Sequence, residues 1–311
     1  SEYENVDGIV SITHGTGCGI NSKGLGWELL QATIAGYSRH PNFGGLIVIG
    51  LGCEVNQVSG MAQSMDWASS DTFKMMTIQE IGGTRKTIQE GVEMIKQMLP
   101  ILNKNKREKS PASELILGLE CGGSDAYSGM TANPALGSAV DLLVKNGGTG
   151  TLAETPEIFG AEHLLTRRAI NEEVGQKIVN FIKWWQEDYL TKFEENREQL
   201  HQDPSPGNKA GGLTTILEKS LGAVAKGGTT NLVAVYQFAE NIKAKGFTFM
   251  NTPGYDVTSV TGLIAGGANM ICFTTGRGSV FGCKPAPSIK LATNDDLYNR
   301  MTEDMDVNCG K

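Results

Sequence analysis

Residues 114–147, ELILGLECGGSDAYSGMTANPALGSAVDLLVKNG, decide the fold. The run Leu115, Ile116, Leu117, Gly118, Leu119 is short, continuous and apolar, as a strand buried on both faces must be. Glu120, Cys121, Ser124, Asp125, Tyr127 and Ser128 follow among three glycines, so polar and ionisable groups stand where the backbone can approach a ligand closely. Asn133 is expected to cap a helix with Pro134 at its first position. Ala135, Leu136, Ala139, Val140 and Leu143 form one apolar stripe along that helix, and Gly147 ends it. Strand, polar turn and helix in this order are the start of a parallel α/β unit, whose ligands bind beyond the carboxyl ends of the strands.

Toward the C-terminus, residues 148–153 supply a second strand, parallel to the first because so long a connection cannot be a hairpin. Its end carries Glu154, Thr155, Pro156 and Glu157. Helical spacing of Val174, Ile178, Phe181, Ile182, Trp185 and Tyr189 predicts one long helix over residues 162–199. Residues 202–212 (QDPSPGNKAGG) are expected to be irregular, and a helix is expected near residues 214–225. A second crossover follows: a strand at 247–250, the turn NTPGYD, a small-residue helix near 258–266 and a strand at 270–274 that runs into GRGSVFGCKPAPSIK.

Toward the N-terminus the same design recurs. Residues 6–13 (VDGIVSIT) are expected to be a strand leading into His14, Gly15, Thr16, Gly17, Cys18 and Gly19. A helix at 27–37 precedes a strand at 46–49, which delivers Gly50, Leu51, Gly52, Cys53 and Glu54. A short strand at 73–78 leads to a helix at 84–99, where Ile88, Val92, Ile95 and Met98 recur at helical spacing. The charged segment KNKREKSP, residues 104–111, breaks the pattern and marks a boundary. The expected architecture is therefore α/β: two Rossmann-like lobes with mainly parallel sheets, residues 1–110 and 111–311, whose strand-end turns face a shared cleft.

Composition bounds the function. The chain has 311 residues, 40% of them hydrophobic, and 40 glycines, enough for large cores and many tight turns. A net charge of -7 without a basic block argues against nucleic acid or an anionic membrane as partner. No apolar run reaches the ~20 residues of a membrane span, and the start lacks a signal peptide's pattern, so the expected compartment is the cytoplasm. The 6 cysteines have no CxxC spacing and read as thiols in a reducing compartment rather than a disulfide framework or zinc finger.

Cys18, Cys53 and Cys121 each follow an expected strand and are candidate metal ligands, whereas Cys272, inside the apolar strand at 270–274, reads as core. His14 and His163 stand beside acidic residues and suit a ligand or a base; His40 and His201 read as surface residues. Of Glu54, Glu120, Asp125, Glu154 and Glu157, all at strand ends or turns, two are expected to carry chemistry and the others to cap turns. In PSPGNKAGG and TGRGS, glycine-freed amides together with Lys209 and Arg277 suit an anion such as a carboxylate. Neither GxxxxGK[ST] nor GxGxxG opens a helix, so nucleotide binding has little support.

The phrases ITHGTGCG, PNFGG, VIGLGCE, LGLECGGSDAYSGMTANPALG, ETPEIFGAEHLLTRRA, PSPGNKAGGLTTILEKSLGA, NTPGYD and CFTTGRGSVFGCKPAPSIKLATN resemble the altronate and galactarate dehydratase family over nearly the whole chain. That family includes sulfolactate sulfo-lyase large subunits, and uninterrupted ETPEIFGAEH is closer to its altronate branch. The resemblance implies a core and C-terminal region, with a further N-terminal domain and a C-terminal tail expected in full-length relatives. It also implies iron-dependent removal of water from a small sugar acid, altronate giving 2-dehydro-3-deoxy-gluconate, by a protein able to form a homo-oligomer.

Such a reaction needs a base for the proton beside the carboxylate, an electrophile for the enediolate and help for the departing hydroxide. His14, Cys18, Cys53 and Cys121 are the expected metal-site residues. His163, Glu157 and His14 are the expected acid and base, and Arg277, Lys209, Ser124 and Asp125 the expected substrate contacts. Histidine and carboxylate ligands favour a single Fe2+, with Mn2+ as a substitute, whereas several thiolates favour an iron-sulfur cluster. Galactarate or sulfolactate chemistry, and a non-catalytic anion- or nucleotide-binding α/β domain, are the competing readings.

Overall fold

The computed structural model describes residues 2–189 and 204–311. The chain divides into two compact units, Ser1–Ser110 and Pro111–Lys311. In the first, α1 (Leu25–Ser38) precedes β1 (Leu46–Gly50), α2 (Val58–Ser64) and β2 (Phe73–Thr77), and the unit closes with α3 (Ile78–Ile81) and α4 (Thr84–Leu102). The two strands pair in parallel from Leu46 against Phe73 to Gly50 against Thr77.

Residues 6–13 form no strand, a correction to the strand expected there. A strand exists only where a neighbouring backbone completes its ladder and covers its apolar face. Here Ile9 and Ile12 are 69% and 52% exposed.

The second unit is organised on seven strands: β3 (Ile116–Cys121), β4 (Thr149–Leu152), β5 (Leu232–Tyr236), β6 (Gly246–Met250), β7 (Met270–Thr275), β8 (Ser288–Ala292) and β9 (Val307–Asn308). Their order across the sheet is β5-β6-β4-β3-β7-β8-β9, and every pairing is parallel. The α/β reading thus holds, and the crossover through α5 (Ala132–Lys145) joins the strands it was expected to join. From β3 the chain passes to β4 beside it, then to β5 at one edge, and β6 fills the place between β4 and β5. It then returns through α10 (Asp256–Ala265) to β7, on the other side of β3, and builds toward the opposite edge. The carboxyl ends of β3 and β7 therefore flank the switch point, where an open parallel sheet leaves a crevice.

Between β4 and β5 lie α6 (His163–Thr166), α7 (Glu172–Lys183), α8 (Pro206–Ala210) and α9 (Ile216–Val224); α11 (Asp295–Arg300) follows β8. The single helix expected over residues 162–199 is interrupted. Arg168 and Ile170 instead bond to the edge of β5, Leu232 N–H donating to Arg168 O at 2.8 Å and Ile170 N–H to Leu232 O at 3.0 Å. Asn171 then caps a new helix, its Oδ1 accepting from Val174 N–H at 2.9 Å. The remainder of the expected helix, residues 190–203, lies outside the described residues.

Residues 206–210 are helical rather than irregular, because Ser205 caps them and Pro206 occupies the first turn, where its missing N–H costs nothing. Asn133 does not cap α5; it lies inside the first turn, with Thr131 at the capping position. Its side chain instead accepts from Thr274 Oγ1 at 2.7 Å and donates to Gly222 O at 2.9 Å, tying the helix to β7 and α9. Strands β5, β8 and β9 are short runs that the sequence reading left unassigned, and they extend the sheet to both edges.

Candidate active site

Strand register carries charged residues into the interior of the second unit. Leu119 pairs with Leu152 and Cys272, Glu120 with Phe273 and Cys121 with Thr274, so Glu120 and Cys121 close β3 at the switch point. Beyond β4, Glu154 adopts a left-handed backbone, φ 66°, a conformation disfavoured for a residue with a Cβ. That turn is held from β6: Thr252 Oγ1 accepts from Glu154 N–H at 2.8 Å, and Thr252 O from Thr155 N–H at 3.0 Å. Glu157 follows in the same short helical turn, and Asp256 opens α10.

These segments bring four carboxyl groups and one thiol together. Cys121 Sγ lies 3.4 Å from Glu154 Oε2 and 3.3 Å from Glu157 Oε2, and Cys121 N–H donates to Glu154 Oε2 at 3.1 Å. Oxygens of Glu120, Glu154 and Asp256 lie within 4.8 Å of one another, as do ligating atoms of Cys121, Glu154 and Glu157. Two lysines answer this charge. Lys226 Nζ sits 2.9 Å from Glu154 Oε2 with both side chains essentially inaccessible, and Lys219 Nζ sits 2.5 Å from Glu157 Oε1.

The turn carrying Lys226 is fixed from three directions. Arg168 Nη1 donates to the carbonyls of Gly227, Gly228 and Thr230, with its guanidinium over the Phe247 ring. Asp141 on α5 accepts from Thr229 and Thr230 N–H at 2.8 and 3.1 Å. At Gly137, one turn earlier on α5, a methyl group would collide with Ala225 O.

Electrostatics sorts the groups. Burial pushes the Glu120 carboxyl well above the usual range, reinforced by the charge of Glu154. Burial opposes ionisation of Glu154 too, but the Lys226 ammonium outweighs it and holds that carboxylate low. Burial and the Glu154 charge raise Cys121, so its thiol stays protonated. Burial also opposes the charge on Lys226, yet the surrounding acidic groups hold it ionised. Burial, with the charges of Glu154 and Glu157, lifts Asp256 to about 6.

Glu120 Oε1 and Glu154 Oε1 are buried acceptors without a hydrogen-bond partner among the described residues. Instead the Glu120 carboxyl, held protonated, hydrogen-bonds the Glu154 carboxylate, and a cation at this pair would take the place of that proton. With four carboxyls facing two ammonium groups, the donors at Glu120, Glu154 and Asp256 match a hard divalent ion bound through oxygen. They do not match an iron-sulfur cluster, which takes several thiolates, because Cys121 is the sole thiol in either candidate set.

The remaining expected site residues are distributed as follows. His14, Cys18 and Cys53 belong to the first unit and are exposed. His14 Nδ1 is 2.7 Å from Thr16 Oγ1, and Val55 N–H reaches Gly17 O at 3.4 Å, so the two glycine turns of that unit meet. Glu54 accepts from Leu51 and Gly52 N–H at 3.1 and 2.5 Å and so braces its own turn. His163 opens α6 and is exposed, as are Lys209 on α8 and Arg277 after β7. Arg277 N–H donates to Gly123 O at 2.9 Å, which holds its backbone over the β3 turn.

Ser124 and Asp125 are buried, and the Asp125 carboxylate is occupied by Ser128, Thr293 and Asn294. Lys219, Lys226 and Asp256 were not singled out from the sequence. Lys219 sits in a helix whose alternation of charge looks like a solvated face. Lys226 offered a signal, a single lysine between Val224, Ala225 and two glycines, where a surface lysine gains nothing.

Comparison with known proteins bears on this site. A family model described as D-galactarate/Altronate dehydratase, C-terminal, matches residues 112–311, and one described as D-galactarate dehydratase/Altronate hydrolase, second domain, matches residues 1–103. Altronate dehydratase of Bacillus subtilis (strain 168) is 39% identical over 304 residues, covering 98% of this chain and 59% of that protein. Altronate dehydratase of Escherichia coli (strain K12) is 37% identical, covering 99% of this chain and 60% of that protein. Galactarate dehydratase (L-threo-forming) of the same strain is 40% identical over 284 residues, covering 89% of this chain and 54% of that protein. The chain thus spans little more than half the length of these relatives.

Proposed function

The chain belongs to the D-galactarate/altronate dehydratase family, and from this premise we propose that it is the part of a sugar-acid hydro-lyase that removes water from an aldonate, altronate first among the candidates. The observation that carries the reading is the buried set of Glu120, Glu154, Glu157, Asp256, Cys121, Lys219 and Lys226 at the switch point, with two carboxylate oxygens left unpartnered.

Loss of water from a 2,3-dihydroxy acid begins with the proton at C2, made removable only when charge on the carboxylate oxygens is countered. Arg277 is assigned to the substrate carboxylate, because its planar fork matches both oxygens and its backbone is tied to the β3 turn at the crevice. Lys209 is assigned to the same anion from the neighbouring segment.

Glu157 is the base in this reading: burial and the Glu154 charge raise its proton affinity toward the working range. Lys219, against Glu157 Oε1, offers an N–H to the developing enediolate and to the departing hydroxyl. Glu154, Lys226 and Cys121 hold Glu157 in place, so the proton taken from C2 stays inside a water-poor site. A divalent cation, which the family implies, would be held by Glu120, Glu154 and Asp256 and would supply electrophilic stabilisation of the enediolate. Lys219 protonates the C3 hydroxyl as the C3–O bond breaks and regains that proton from Glu157, so water leaves with the hydrogen taken from C2, and the enol formed tautomerises to the 2-keto-3-deoxy acid.

The test is anaerobic loading of the protein with Fe2+ or Mn2+, followed by assay of 2-keto acid formation from altronate, galactarate and sulfolactate. Altronate turnover that disappears in Glu157→Gln at unchanged metal content supports the assignment. Turnover of galactarate or sulfolactate instead moves the chain to another branch, and tight nucleotide binding without turnover replaces the lyase reading altogether.

A further inference from the structure

We infer that Asp125 is a positioning residue that joins the three segments around the switch-point crevice and thereby sets the place of Arg277; the inference rests on the reading of Arg277 as the substrate's carboxylate anchor. Asp125 is 4% exposed and follows the β3 turn. Its carboxylate accepts from Ser128 Oγ at 3.0 Å within its own turn, from Thr293 Oγ1 at 2.9 and 3.0 Å, and from Asn294 Nδ2 at 3.0 Å beyond β8. A carboxylate already receiving these bonds is spent as a substrate ligand.

Packing ties the other two segments to the same side chain. A methyl group at Gly276 would collide with Asp125 Cγ, and one at Gly211 would lie 2.9 Å from Asp125 Cβ. Asp125 is thus clasped between Gly276, whose neighbour is Arg277, and Gly211, two residues after Lys209. The backbone around it is stitched to match. Gly276 and Arg277 N–H both donate to Gly123 O, at 3.1 and 2.9 Å, and Asn294 Nδ2 donates to Gly276 O at 3.1 Å. On the other flank Ala126 N–H donates to Gly211 O at 2.9 Å, and Asn208 Nδ2 to Ser124 O at 2.9 Å.

One buried carboxylate therefore holds the segments of two candidate anion-binding side chains at a fixed spacing. The spacing of cations is what selects one carboxylate-bearing substrate over another, and a side chain placed a little off its productive position loses much of its effect.

The experiment compares wild type with Asp125→Asn and with the milder Thr293→Val, all loaded with Fe2+ under anaerobic conditions. Asparagine keeps the volume but turns an NH2 toward the donors of Thr293 and Asn294. Amide hydrogen exchange of Gly276 and Arg277 should speed up at least about tenfold in Asp125→Asn while the amides of β3 and β7 keep their protection. KM for altronate should rise about tenfold or more with kcat within about threefold, the signature of lost anchoring rather than lost chemistry. Thr293→Val should show the same pattern, attenuated.

Unchanged exchange in both variants overturns the inference, as does faster exchange with unchanged KM. A fall in kcat at constant KM places Asp125 in the chemistry and also overturns it. If the wild type turns over no sugar acid, the exchange measurement alone decides whether Asp125 positions the turn that carries Arg277.

Discussion

The Lys226 ammonium lies 2.9 Å from Glu154 Oε2, with side chains 0% and 1% exposed, so neither charge of this pair has water to turn to. Removing one partner leaves the other charge buried and uncompensated, at a cost of about 3–5 kcal/mol. Lys226→Met should lower the stability of the second unit by about that amount in urea unfolding. Adding Glu154→Gln to the same chain should return a large part of it, since the second change removes the stranded charge. A double variant no more stable than the single one would show that the ammonium acts through packing alone.

The unpartnered oxygens of Glu120 and Glu154 give a prediction about metal. After anaerobic loading and gel filtration, Glu120→Gln should retain the least Fe2+ or Mn2+, because it replaces a donor oxygen inside the carboxyl set. Cys121→Ser should lose metal more than Cys272→Ser does. Cys121 touches Glu154 and Glu157, whereas Cys272 lies opposite Leu119 within the sheet. Equal retention in the two cysteine variants would refute the distinction between a site thiol and a core thiol.

Asp256 gives a prediction about pH for protein stripped of divalent ions. Its folded value of about 6 stands above the ordinary 3.8, so the folded state binds this proton more tightly than the unfolded chain does. The stability tied to that proton is complete below about pH 4 and lost as pH rises through about 6. Ionised Asp256 is therefore a burden above neutrality. Asp256→Asn should raise Tm at pH 8 and leave it nearly unchanged at pH 4, and equal shifts at both values would contradict this.

How much of this was legible in the sequence follows from what each signal depends on. The strand, turn and helix at 116–145 were readable because their signals are local: a continuous apolar run, glycines and one apolar stripe. The strand expected at 6–13 rested on a short run of mixed polar and apolar residues; among the described residues no strand pairs with it, and pairing is not local. The break at Arg168 had a tertiary cause, the bonding of that segment to Leu232. Glu120 and Glu154 stood out as acids at strand ends, but which acids are buried and paired together depended on Lys219 and Lys226. Those lysines arrive from a helix and turn more than sixty residues away in sequence from Glu154 and Glu157.

Arg277 carries the last prediction. It stands between Gly276 and Gly278, exposed at the crevice, with its backbone N–H donating to Gly123 O at 2.9 Å. Among the described residues its guanidinium makes no hydrogen bond or ion pair that would demand a long cationic side chain there. Lysine in its place keeps the charge but loses the two-pronged fork, so binding of a substrate carboxylate should weaken by about 1–3 kcal/mol, the worth of a charge-assisted hydrogen bond. The loss should fall on kcat/KM for altronate, while metal content and Tm stay at wild-type values, since the Arg277 side chain is not part of the carboxyl set. Arg277→Lys with wild-type kinetics would move the anchoring role to Lys209, and Lys209→Met would then be the variant that loses substrate binding.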